Sequence, residues 1–216
     1  MYSIGMAARH SHAPKKSHGQ ALKRIVRYLM ETPDKGIEFI PDLDKGLDCW
    51  VGASFAGLYG YEDEQNIESV KSHTCFILTL LGCPVLWKSL SQDILTLSST
   101  ASEYVAFSDS MRELLPMRRL LSEISSKLDL PVMAKTLVRS TVFEDNQACL
   151  SLVNVPKMSP RNKYLALRYH FFRSEIGEDK GVIAKWCPTK EMTADIGTKG
   201  LGPQQFKELR KKLMGW

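Results

Sequence analysis

Residues 73–106 read HTCFILTLLGCPVLWKSLSQDILTLSSTASEYVA, and their pattern decides the class of fold. His73–Leu81 and Pro84–Leu90 are two strand-like apolar runs broken at Gly82, which predicts a hairpin. Asp93–Leu97 predicts a further short strand. Ser98-Ser99-Thr100 then supplies a helix N-cap, because a hydroxyl there can accept from a free backbone N–H. Beyond it Tyr104, Val105, Met111, Leu114, Leu115 and Leu121 recur at helical spacing. Pro116 lacks a backbone N–H and is expected to kink or split that helix.

Upstream, Leu47–Phe55 alternates loosely as a strand and Gly57 closes it. Gly60–Lys71 is a polar, acidic connection. Ile37–Ile40 is a short strand candidate. Residues 18–32 place Leu22, Ile25, Val26 and Leu29 on one helical face, with Pro33 and Gly36 as the stop. Downstream, Leu137–Phe143 predicts a strand that ends at Glu144-Asp145, followed by a short helix, Gln147–Val153. A basic loop, Pro156–Asn162, leads to a helix over Leu165–Ile176, a strand over Val182–Trp186 and a terminal helix over Gln204–Leu213. Hairpin-linked strands followed by alternating strands and helices predict an α/β fold: a five-stranded mixed sheet with helices packed on it.

Composition narrows the class. The 216 residues are 44% hydrophobic and 25% charged, which excludes wholesale disorder, a collagen-like fibre and a disulfide miniprotein. Apolar runs such as Ile77–Gly82 fall far short of a membrane span. MYSIGMAARHSHAPKK at the start has neither an apolar segment nor a cleavage signature, so the expected location is intracellular, cytoplasmic or nuclear, and not secreted. The cysteines Cys49, Cys75, Cys83, Cys149 and Cys187 are odd in number and never in C-x-x-C spacing. They read as free thiols in a reducing compartment rather than a disulfide framework or zinc site.

Net charge is +5, and its placement says more than its size. Arg9, Lys15, Lys16, Lys23, Arg24 and Arg27 stand in residues 1–30 without a single acid. Lys157, Arg161, Lys163, Arg168 and Arg173 form a second acid-free stretch, interleaved with Tyr164, Tyr169, Phe171 and Phe172. Basic residues among aromatics suit a polyanionic partner. Charge alone favours the plainer reading: two solvated helix faces whose aromatics enter the core.

The informative acids stand at element ends. Glu103 is expected in the first turn of the long helix, Asp145 closes a strand, and Asp195 follows the last strand in KEMTADIGTK. Singly, each reads as a cap or a dipole partner of a helix start. Together they suit a phosphodiester-cleaving centre, in which two magnesium ions need carboxylates converging from different elements.

Four strings carry a family resemblance: LTLSSTASEYVA (95–106), VFEDNQACLSL (142–152), LRYHFFR (167–173) and WCPTKEMTADIGTKGL (186–201). In order and separation they resemble the ribonuclease H domain of copia-type retrotransposon polyproteins, which reads approximately LSSTEAEYVA, CDNQSAI, RYHFIRE and VPTxxQxADIxTKxL. ALKRIVRYLMETPDKGI (21–37) is similar to the connection between reverse transcriptase and ribonuclease H in those polyproteins. The resemblance divides the chain into a basic N-terminal connection (1–40), a ribonuclease H-like domain (41–200) and a C-terminal helix (201–216). It implies the ribonuclease H-like fold, magnesium, hydrolysis of RNA in RNA/DNA hybrids and fusion to reverse transcriptase. Glu103, Asp145 and Asp195 match catalytic, metal-holding carboxylates. Nucleic-acid contact is carried to Lys163, Arg168, Arg173, Asn146 and Gln147, whereas His170 reads as a packing residue.

One departure outweighs these matches. The family's first carboxylate stands on the first strand in a string like VDASFAG, and this chain has Val51-Gly52-Ala53-Ser54-Phe55-Ala56-Gly57. Gly52 occupies the aspartate's place and offers no ligand. Asp48 is ~13 Å away along a strand at ~3.3 Å per residue, and Ser54 is neutral. The resemblance therefore implies an impaired hydrolase, with a non-cleaving nucleic-acid-binding module or a translated retroelement fossil as the alternatives. If the basic stretch 157–173 holds duplex nucleic acid, binding fades steeply with salt because neutralised phosphates release counterions. Charge reversal at both Lys163 and Arg168 should then weaken retention in a filter-binding assay, and unchanged retention would move the contact elsewhere.

Overall fold

A computed structural model describes residues 1–61, 65–129, 139–154 and 171–216. Two helices, α1 (Tyr2–Arg9) and α2 (Lys16–Glu31), precede strands β1 (Leu47–Ser54), β2 (His73–Leu80) and β3 (Cys83–Ser91). The long α3 (Ser99–Lys127) follows, then β4 (Ser140–Glu144), α4 (Gln147–Asn154), β5 (Val182–Trp186) and α5 (Pro203–Met214). The strands form one sheet in the order β3-β2-β1-β4-β5. β1, β2 and β3 are mutually antiparallel, and β4 joins β1 in parallel, as β5 joins β4. This is the mixed α/β sheet that the hairpin and the later strand–helix alternation predict.

The hairpin closes through Leu81 and Gly82, both with positive φ (52° and 80°). A two-residue turn of that hand matches the twist of the flanking strands. Gly82 adopts it freely, and Leu81 is held there by its N–H donating to the Gly46 carbonyl at 2.9 Å.

α3 explains most of the core. Ser98 caps it, its side chain accepting from the Ala101 amide. Tyr104, Val105, Phe107, Met111 and Leu114 then face Leu47, Cys49, Val51, Phe76 and Leu78 of the sheet. Phe172 closes this layer, its ring 5.2 Å from Phe107 and 5.8 Å from Tyr104. The helix runs through Pro116 without ending or splitting. Met111, Leu114 and Leu115 before the proline, and Arg118 after it, are buried, and Arg118 donates to the Lys180 carbonyl at 3.1 Å. Packing on both sides of the missing hydrogen bond holds the helix together. The opposite sheet face carries a smaller cluster of Cys75, Ile77, Cys187, Met192 and Ala194.

Two expected strands do not form. Residues 37–40 are irregular and bond to the C-terminal helix through the Glu38 amide and Met214 carbonyl, leaving Phe39 and Ile40 exposed. Residues 93–97 form a loop in which Thr96 turns inward to Ser72, 2.9 Å between hydroxyls, while Leu97 is exposed. Among the described residues, neither segment has a neighbouring strand to complete a ladder. Of the helix expected over 165–176, residues 171–176 hold only a 3-10 turn, Arg173–Glu175; the remainder, like the loop at 156–162, lies outside the described residues. α1 was not expected from the sequence. α2 buries none of its residues, so its apolar stripe does not feed the core. All five cysteines are buried and free. Among the described residues no helix is long and apolar enough to cross a membrane.

Phe107 is fully buried and Leu22 is 53% exposed. Phe107→Ala should therefore lower unfolding free energy by about 3–5 kcal/mol, while Leu22→Ala stays within about 0.5 kcal/mol. Urea denaturation of both variants checks the contrast.

Candidate metal centre

Three elements bring acids to one point. Glu103 stands on α3, in the layer that α3 presses onto β1, and is 8% exposed. Glu144 is the last residue of β4 and is fully buried. Asp145 follows it, half-buried, with its carbonyl accepting from Trp186 Nε1 at 3.1 Å. Ligand oxygens of Glu103, Glu144 and Asp145 all lie within 4.8 Å of one another, the one such acid or thiol group among the described residues.

The local geometry also separates the clustered acids from the helix cap. Asn146, not Asp145, caps α4, its Oδ1 accepting from the Cys149 amide at 2.9 Å. The Asn146 amide in turn donates to Glu144 Oε1 at 3.0 Å. Asp145 is thus free of the capping role that its position in the sequence allowed.

Asp195 sits in the 3-10 turn Thr193–Gly197, with Lys199 Nζ 2.8 Å from Oδ2. It is outside the three-acid group, although its charge is felt at Glu103. Gly52 lies between the two. The β1–β4 pairing of Cys49 with Val142 and Trp50 with Phe143, carried onward, sets Val51 against Glu144 and Gly52 against Asp145. A Cβ on Gly52 would meet Ala194 Cβ at 3.7 Å and Met192 Cγ at 3.9 Å, ordinary contacts beside Asp195. Asp48 is no substitute, since its carboxylate accepts from the Thr141 amide at 3.1 Å, on the neighbouring strand.

Glu144 was missed by the sequence reading, which took it only as a strand end. The signal was present: Ser140, Val142 and Glu144 alternate with Thr141 and Phe143, so a charged residue occupies the core-facing phase of the strand. Among the expected nucleic-acid contacts, Gln147 is exposed and Asn146 is engaged in the cap. The Arg173 guanidinium turns inward, donating to the Leu152 carbonyl and meeting Tyr104. Lys163 and Arg168 lie outside the described residues, as does His170.

Burial dominates the electrostatics. It raises the Glu103 carboxyl well above the ordinary carboxylate range, and the neighbouring Glu144 and Asp145 charges raise it further. Burial likewise pushes Glu144 up to about 8 against the lowering effect of the Asn146 amide. Asp195 is raised by burial in spite of Lys199. Glu103 Oε2 and Glu144 Oε2 are buried with no hydrogen-bond partner. Clustered, desolvated acids with unused oxygens match a hard divalent cation. An all-oxygen donor set is the kind magnesium takes.

The sheet order, with three antiparallel strands leading into two parallel ones and acids gathered at the β1–β4 end, is that of a ribonuclease H-like α/β fold. The chain is 29% identical over 218 residues to the retrovirus-related Pol polyprotein from transposon TNT 1-94 of Nicotiana tabacum, covering 99% of this chain and 15% of the polyprotein. It is 28% identical over 212 residues to that from transposon RE2 of Arabidopsis thaliana, covering 98% of this chain and 13% of the polyprotein. Over 98–99% of its length the chain is thus homologous to copia-type, retrovirus-related Pol polyproteins of transposons, and it spans about one-seventh of the length of these relatives. A secreted RxLR effector protein 161 of Plasmopara viticola is 34% identical over 114 residues, 51% of this chain and 72% of the effector. No family model matches the chain.

The acid cluster makes stability depend on pH. A carboxyl raised from 4.5 to about 8 on folding holds its proton in the folded state while the unfolded state has lost it. Stability is then greatest below the ordinary value and falls as pH rises through that window, by on the order of a few kcal/mol. Glu103 and Asp195 act in the same sense. His73, lowered to about 4 by burial, acts oppositely, removing stability as pH falls below 6.5. Glu144→Gln should therefore be the more stable chain at pH 8 in EDTA and nearly equal at pH 4.5. Urea titrations at the two pH values check this, and equal differences at both would refute it.

Proposed function

We propose that this chain is the ribonuclease H segment of a transposon polyprotein: a magnesium-dependent hydrolase of RNA in RNA/DNA hybrids that Gly52 leaves impaired. The observation that carries the reading is the convergence of Glu103, Glu144 and Asp145 within 4.8 Å, where β4 ends beside Gly52 of β1. Glu103 and Asp145 would hold the metal, with Asp195 on the far side of Gly52. Bound magnesium activates water and stabilises the leaving oxygen in such centres. The carboxylates fix where that charge sits, and burial by α3 keeps them in one geometry. A hybrid would be recognised through its shape, phosphates and 2′-hydroxyls rather than its sequence.

Gly52 also favours a second reading, a module that holds nucleic acid without cutting it. A glycine removes the carboxylate between Asp145 and Asp195, the place from which one side chain could serve two ions. Fusion to a preceding polymerase fits the outward face of α2, where Leu22, Val26 and Leu29 are exposed in the segment that resembles the polymerase connection.

Gly52→Asp tests the reading. The added Cβ has room, so the variant should fold. It should release short RNA from a labelled hybrid in magnesium or manganese, orders of magnitude faster than the unmodified chain. Gly52→Asp with Asp145→Asn should lose that activity. Equal cleavage by the unmodified chain and Gly52→Asp would show that Gly52 disables nothing. A folded but silent Gly52→Asp that still retains the hybrid would favour the binding module, and one that neither cuts nor binds would favour a fossil.

A further inference from the structure

We propose that Glu144 takes over the role of the missing first-strand carboxylate, so that this chain holds one divalent cation between Glu103, Glu144 and Asp145 and leaves Asp195 outside. The proposal rests on reading the acid cluster as a metal centre and names which residues of this chain form it.

Three observations converge. First, Glu144 is fully buried, and one of its oxygens is oriented by the Asn146 amide at 3.0 Å. Its other oxygen has no partner, and neither has Oε2 of the nine-tenths buried Glu103. Leaving buried carboxylate oxygens unsatisfied is costly, and a cation shared between them would satisfy both. Second, the replacement comes from the neighbouring strand and the other sheet face. A side chain at Gly52 would point to Met192 and Ala194. Glu144 shares its phase with Val142, which packs in the α3 layer with Tyr104 and Val105, the layer that contains Glu103. A carboxylate at 144 thus supplies the third oxygen on the Glu103 side only. Third, Asp195 already has a counter-ion in Lys199 at 2.8 Å and does not belong to the group within 4.8 Å. Residue 52, between them, offers no side chain to bridge it to that group. The oxygen-only donor set suits magnesium or manganese.

Mn²⁺ is the probe, titrated into the full chain while the free-ion electron paramagnetic resonance signal is followed. One ion should bind, and Mg²⁺ should displace it. Glu144→Gln should weaken the affinity by on the order of tenfold or more, and Asp195→Asn by far less. Circular dichroism checks the fold of each variant. If Glu144→Gln does not fold, Glu144→Asp, which keeps the charge but shortens its reach, should show the same weakening. No Mn²⁺ binding, two ions per chain, affinity indifferent to residue 144, or equal losses from Asp195→Asn and Glu144→Gln would each overturn the proposal. Glu144-dependent binding beside a silent Gly52→Asp would keep this site and remove the hydrolase reading. Cleavage by Gly52→Asp when the unmodified chain binds no Mn²⁺ would do the reverse.

Discussion

The packing of α3 across β1 and β2 is the constraint on which the rest of the molecule depends. Tyr104, Val105, Phe107, Met111 and Leu114 have one surface to cover, and Leu47, Cys49, Val51, Phe76 and Leu78 supply it. Burying these large side chains contributes roughly 1.5–3 kcal/mol each, so the helix has little freedom to slide or rotate. Glu103 immediately precedes this run. Its burial next to β4 follows from where its apolar neighbours must go, at the expense of a carboxylate removed from water.

That expense is shared. β4 enters the sheet parallel to β1, which aligns the end of β4 with the middle of β1 and delivers Glu144 and Asp145 beside Glu103. Three acids then crowd one place, two of them buried away from solvent. Proton uptake or a bound cation can relieve the repulsion, and the raised carboxyls of Glu103 and Glu144 express the first of these. The same pairing places Gly52 beside Asp145. Gly52 carries no acid on one sheet face and Glu144 supplies one on the other, so the acids near this point gather on the α3 side.

The opposite face has a lighter architecture. Trp50 stacks on Phe143, with ring centroids 4.2 Å apart, and Lys212 Nζ lies 4.0 Å over the Trp50 ring. Met192 and Ala194 pack beneath this pair and hold the turn that carries Asp195. The two faces therefore position different acids by different means: a long helix for Glu103, and a short turn pinned by a small cluster for Asp195.

Much of this was legible in one dimension. Gly82 between two apolar runs specified the hairpin, because only a short left-handed turn fits there. Ser98 before a helical repeat specified the start of α3. The order of strands and helices was enough for the α/β class, and the strings around Glu103, Asp145 and Asp195 were enough to point to the transposon polyproteins that the chain resembles. Residues 37–40 and 93–97 carry strand-like composition yet form no strand, since a strand exists only where a partner offers its backbone. Pro116 is a residue expected to kink or split α3, but buried neighbours on both sides keep the helix from splitting. Glu144 shows the division most clearly: alternation along β4 placed it facing inward, and only the parallel seating of β4 beside β1 and under α3 decided that inward meant against Glu103. Local chemistry is written residue by residue, whereas the meeting of charges from separate elements depends on register and packing that no single segment encodes.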